Sequence, residues 1–150
     1  MSENRFNPYF AVFLVFRKED KILLSQRFNT GHEDGNYSMV SGHVDEGESF
    51  LDAAIREGSE EAGIEIEKQD LSLAYILHVT KPDKVYIDTF LFVNKYKGEL
   101  KNMEANKCSD LSWFDIKNLP QNTIEYVKFV IKEIEEGKNF GEFGWEKNNS

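Results

Sequence analysis

The sequence predicts an α/β domain in which a mixed sheet packs with at least two helices. Three observations lead there. Residues 9–16 (YFAVFLVF) form a continuous apolar run, as expected of a strand covered on both faces. Residues 71–80 and 85–94 read as long strands joined by the turn KPDK, hence an antiparallel pair. Residues 49–62 and 123–136 carry apolar side chains at helical spacing.

In chain order, the first strand is followed by the polar turn RKEDK and by ILLSQ (22–26), which predicts a hairpin. Residues 27–37 (RFNTGHEDGNY) make a glycine-rich polar loop of the kind that lines sites. A short strand at 37–40 and a second loop at 42–48 come next. Ser49 then opens the first helix as its N-cap, with Asp52 completing a weak capping box, and Gly63 supplies a left-handed stop after Ala62. Extended structure resumes at 64–66, and 111–114 is a short strand. Ile124, Val127, Ile131 and Ile134 share one face of the second helix. The tail FGEFGWEKNNS has enough aromatic residues for part of it to pack before a loose end.

No repeat, low-complexity linker or domain boundary interrupts the 150 residues, so one domain, 1–150, is expected. A lone cysteine, Cys108, excludes an internal disulfide and an all-cysteine metal site, and reads as a buried small hydrophobe. The first residues lack the pattern of a signal peptide, and no apolar run approaches the length of a membrane span, so the cytoplasm is the default compartment. A formal charge of −9 without a basic stripe argues against a nucleic-acid polymer as partner.

The acid is concentrated. Residues 45–67 hold nine carboxylates and a single basic residue, Arg56. On a helical wheel, Leu51, Ile55, Gly58 and Ala62 gather in a stripe that predicts the buried face. Gly58 lies inside it, where the absence of a side chain permits close approach to the sheet. Glu57, Glu60 and Glu61 fall outside that stripe as one patch, without the lysines that normally interleave an exposed acidic face. Carboxylates gathered in this way are either a solvated face or oxygen ligands for a hard divalent cation.

The flanks add to this. GHVDEGESFLDAAIREGSEEAGI, residues 42–64, resembles the Nudix box, G-x5-E-x7-R-E-U-x-E-E-x-G-U, where U is bulky and aliphatic. Gly42, Glu48, Arg56, Glu57, Glu60, Glu61, Gly63 and Ile64 match in register; Gly58 departs at the first U, and Ser41 stands where many members have glycine. The resemblance implies an α/β/α sandwich with the mixed sheet between helices. It implies hydrolysis of a nucleoside diphosphate linked to a further group, with Mg²⁺ or Mn²⁺ as cofactor. Carried over, Glu57, Glu60, Glu61 and the Gly42 carbonyl are metal ligands, and Arg56 with Glu48 forms an ion pair directed away from the metal patch. Glu104 is the expected further acid from a later loop, with Glu99 in reserve. Many relatives are dimers, which leaves a homodimer open.

The run EANKCSDLSWFDIKNLP resembles a segment of MutT-like nucleotide hydrolases, which favours a nucleoside triphosphate, ordinary or oxidised, cut to monophosphate and pyrophosphate. A nucleotide sugar or dinucleoside polyphosphate is the alternative substrate, and a nucleotide-sensing module without turnover the non-enzymatic one. Arg27 is the candidate phosphate contact, Tyr37 and Phe28 the candidate stacking partners for a base, and His43 a further lining residue. His32 and His78 lack metal-ligand spacing. Trp113 is either a base contact or core.

Overall fold

A computed structural model describes residues 5–146. The expected loose end, at 147–150, lies outside the described residues. The strands are β1 (Tyr9–Val15), β2 (Arg17–Lys18), β3 (Lys21–Arg27), β4 (Tyr37–Ser38), β5 (Val40–His43), β6 (Leu71–Thr80), β7 (Val85–Val93), β8 (Cys108–Asp115) and β9 (Phe140–Phe143). The helices are α1 (Phe50–Ala62) and α2 (Glu125–Glu135), and a 3-10 turn (Lys68–Asp70) precedes β6.

Two sheets form. The larger has the order β5-β1-β7-β6-β9 and is mixed: β1 runs parallel to β7 and antiparallel to β5. β6 pairs with β7 antiparallel, as the KPDK turn predicts, and with β9 in parallel. The smaller sheet joins β2, β3 and β4, with β8 on the other side of β3.

The two-residue alternation of β1 distributes the core. Ala11, Phe13 and Val15 face α2, packing with Ile124, Val127, Val130 and Ile131. Val12, Leu14 and Phe16 face α1, packing with Ala53, Ala54 and Ala62. Burial on both faces explains why residues 9–16 are apolar without alternation, and produces the α/β/α sandwich.

Several expectations need correction. The first hairpin is reduced to β2 with the start of β3; β1 itself enters the other sheet, because both its faces need cover. α2 starts at Glu125, since Ile124 is extended and its N–H is taken by the Tyr37 carbonyl at 2.9 Å. The tail does more than pack: Phe140–Phe143 becomes an edge strand. On α1, Ser49 Oγ accepts from the Asp52 N–H at 3.0 Å and Gly63 takes φ 69°, as expected. The Asp52 carboxylate, however, pairs with Lys68 at 3.3 Å. The buried face of α1 is Ala53, Ala54, Glu57, Gly58 and Ala62, with Leu51 and Ile55 half-buried. The helix is thus rolled toward its alanines, which carries Glu57 under the helix rather than away from the sheet.

Candidate active site

The roll of α1 brings Glu57 against β5. Glu57 is only 7% exposed, and its carboxylate lies against the Cα of Gly42, occupying the place a Cβ would need. Arg56 secures the arrangement. Its Nε and Nη2 grip both oxygens of Glu48 at 2.7 and 2.9 Å, a bidentate geometry only a guanidinium offers. Its Nη1 donates to Glu57 at 2.7 Å and reaches Glu60 at 3.3 Å, and Nη2 also donates to the His43 carbonyl at 3.0 Å. The pairing of Arg56 with Glu48 is as expected, but Arg56 does not point away from the acids; it is their shared counter-ion. Its hydrogen bonds hold the Glu48 carboxyl down at about 2.

Glu61, one turn on from Glu57, enters a cleft of about 480 Å³ between the two sheets. Burial, then the hydrogen bond and charge of Glu57, then the charge of Glu104 push its pKa up to about 9. Glu104, from the loop before β8, lines the same cleft; Glu99 does not. Glu60 is exposed on the helix surface.

The expected substrate contacts divide. Arg27 and His43 line the cleft, as do His32 and Cys108. The Arg27 guanidinium is engaged by its own loop, donating to the His32 carbonyl at 2.7 Å and to Thr30 Oγ1 at 3.2 Å. Cys108 is half-buried rather than core, 3.2 Å from Ser25 Oγ. Tyr37 is not a stacking platform: its hydroxyl donates to Asp110 at 2.6 Å and its ring meets Phe114 edge-on. Phe28 is 48% exposed and does not line the cleft. Trp113 is half-buried and packs against the core cluster on the α1 side.

Lys81, Tyr86 and Tyr126 also line the cleft and were not anticipated. Lys81 is in the KPDK turn, and a turn lysine carries no sign of burial. A signal existed in Asp88, a charge in the middle of the apolar strand VYIDTFLFV that needs a partner.

Glu57, Glu61 and Glu104 supply carboxylate oxygens of the kind a hard divalent cation takes, with Glu57 and Glu61 close enough to share a hydrogen bond. Among the described residues, no three acidic, His or Cys side chains stand in a preformed metal cage. The fit rests on donor chemistry.

A mixed α/β/α sandwich with an acid-lined cleft beside the C-terminal half of α1 is the build of a Nudix hydrolase. A family model described as the NUDIX domain matches residues 5–132, and the chain belongs to that family. It is 29% identical over 133 residues to an ADP-ribose pyrophosphatase of Methanocaldococcus jannaschii, covering 89% of this chain and 76% of the relative. It is 27% identical over 112 residues to the NAD-capped RNA hydrolase NudC of Vibrio parahaemolyticus, covering 73% of this chain but 40% of that protein. The fold matches a MutT Nudix hydrolase from Burkholderia pseudomallei with a TM-score of 0.76, at 23% identity and over 84% and 97% of the two chains. A MutT protein from Methanosarcina mazei Go1 matches with a TM-score of 0.76 at 18% identity, over 91% and 98%. No helix among the described residues is long and apolar enough to cross a membrane.

Proposed function

We propose that this enzyme hydrolyses the phosphoanhydride of a nucleoside triphosphate, ordinary or oxidised, to monophosphate and pyrophosphate, using Mg²⁺ or Mn²⁺. The observation that carries the reading is the cleft: Glu61, hydrogen-bonded to Glu57, and Glu104 line a cavity that Arg27 and Lys107 also line. An acidic protein can hold an anionic substrate when a bound cation supplies the positive charge.

Glu57 and Glu61 would hold the cation, with Glu60 and the Gly42 carbonyl as further donors. Bound there, the cation would offset charge at phosphorus and lower the pKa of the attacking water. Arg56 fixes the Glu57 carboxylate against Gly42 and is itself fixed by Glu48, so the ligand geometry does not depend on a free rotamer. Glu104 is the residue we assign to accept the proton of the water, as an acid on a separate loop that still faces the cleft.

A second reading, cleavage of an ADP-ribose-like nucleotide sugar, is favoured by the identity to the Methanocaldococcus protein over most of both chains. One experiment separates the two. The protein is incubated with nucleoside triphosphates and ADP-ribose in Mg²⁺ or Mn²⁺, and the phosphorus products are identified. Pyrophosphate from a triphosphate supports the first reading, and AMP with ribose 5-phosphate from ADP-ribose the second. Glu61→Gln should abolish turnover and also remove any rise in Tm caused by the cation in wild type; an active Glu61→Gln protein sinks the metal assignment.

A further inference from the structure

The Lys81–Asp88 pair is the least expected feature of the cleft. Asp88, on β7, is fully buried, and Lys81 Nζ stands 3.1 Å from its Oδ2. Neither oxygen of Asp88 makes a hydrogen bond of good geometry among the described residues. The ammonium lies 3.8 Å from the Tyr86 ring centroid and 4.4 Å from that of Tyr126. The Lys81 side chain is only 10% exposed, and it lines both the cleft and a neighbouring cavity that Gln121 and Glu125 also line.

Removing two charges from water is costly, and apolar residues of similar size would often give a more stable fold. Burial pushes the carboxyl of Asp88 up and the ammonium of Lys81 down, so each depends on the other to stay charged. Such a pair is poorly suited to a phosphate, because the Asp88 carboxylate already neutralises Lys81 and repels a second anion. It suits a neutral acceptor. An ammonium has three N–H donors and no acceptor, so it can satisfy a carbonyl oxygen and cannot satisfy an amino group.

We propose that Lys81 is a specificity-determining residue, donating from its ammonium to the exocyclic oxygen that a keto base carries where an amino base carries its amino group (O4 of uracil, O6 of hypoxanthine), and that Asp88 is the positioning residue that holds it charged and aimed. The proposal rests on the nucleotide reading above. It selects a keto base over the amino base of otherwise equal shape.

The test uses non-hydrolysable α,β-methylene analogues of UTP and CTP, and of ITP and ATP, titrated with Mg²⁺ by calorimetry. Within each pair the probes differ in a keto or amino group on the ring. The wild type is expected to bind the keto member about tenfold more tightly, the scale of one hydrogen bond from a charged donor. Lys81→Met should narrow the ratio to about twofold or less, while Lys81→Arg, which keeps the donors, retains a preference. Asp88→Asn should reduce the ratio as Lys81→Met does, whereas a merely structural role would lower Tm and leave the ratio alone. Lys81→Gln replaces the Met variant if that fails to fold. A wild type indifferent to the pairs, or failing to bind them, overturns the proposal, as does a ratio that survives in Lys81→Met. Hydrolysis of the parent triphosphates and of ADP-ribose is followed separately. Turnover without keto preference therefore leaves the enzymatic reading standing while this inference falls.

Discussion

The carboxylate of Glu57 lies on the Cα of Gly42 and fills the space that any side chain at position 42 would take. Glycine is required there for what its neighbour does, since its backbone is ordinary β-strand. Gly42→Ala must displace the Glu57 carboxylate, which Arg56 holds at 2.7 Å, or move β5 away from α1. Overpacking of this kind destabilises by about 1–3 kcal/mol. We expect a lower Tm and at least a tenfold loss of kcat/KM, on the scale of a misplaced metal-site partner. Wild-type activity in Gly42→Ala would show that the Glu57 position is dispensable.

Arg56→Lys keeps the charge but loses the fork. A lysine cannot bond both oxygens of Glu48 while also reaching Glu57 and the His43 carbonyl, as Arg56 does. The expected effect is a loss of about 10–100-fold in cation affinity or kcat/KM, as for other residues that orient metal ligands. The apparent cation constant, read from activity against Mg²⁺ concentration, should rise. An unchanged constant would mean that Arg56 serves only the fold.

How much of this could be read in advance follows from the range of each interaction. Local signals were legible: Ser49 and Gly63 bound α1 where capping chemistry says, because both act within a turn of themselves. The box placed Glu57, Glu61 and Arg56 together because they share one helix. The failures involve contacts distant in sequence. The wheel could not know that Ala53 and Ala54 would take the deepest positions, since that depends on how closely β1 and β5 approach. Tyr37 looked free to stack on a base until Asp110, 73 residues away, took its hydroxyl. Lys81 looked like a turn residue until Asp88 drew it inward.

Gly58 provides the contrast to Gly42. A Cβ there would come 2.7 Å from Cδ1 of Ile66 and 3.6 Å from Cδ1 of Leu14. The nearer contact is the far end of a side chain that can rotate, not a carboxylate held by an arginine. Alanine gains about 1 kcal/mol of helix propensity over glycine, opposing the cost of moving Ile66. Gly58→Ala should therefore stay within about 1 kcal/mol of wild type, with activity unchanged. A large fall in Tm would mean that Ile66 cannot yield and that close helix–sheet approach depends on this glycine.

Tyr75, fully buried on β6, donates its hydroxyl to Glu133 of α2 at 2.8 Å, and Lys138 stands 3.2 Å from the same carboxylate. The Tyr75 hydrogen bond, followed by Lys138, holds the Glu133 carboxyl below its usual 4.5. A lowered carboxyl stabilises the fold above its unfolded pKa and loses that contribution as pH falls through the folded value. Glu133→Gln keeps an acceptor for Tyr75 but has no charge to lose. The Tm difference between wild type and Glu133→Gln should be largest near neutral pH and shrink steadily below pH 4.5, the other acids titrating equally in both proteins. Tm is measured by circular dichroism across that range. A difference that does not vary with pH would assign the contact to packing, leaving the ionised form of Glu133 no part in holding α2 to the sheet.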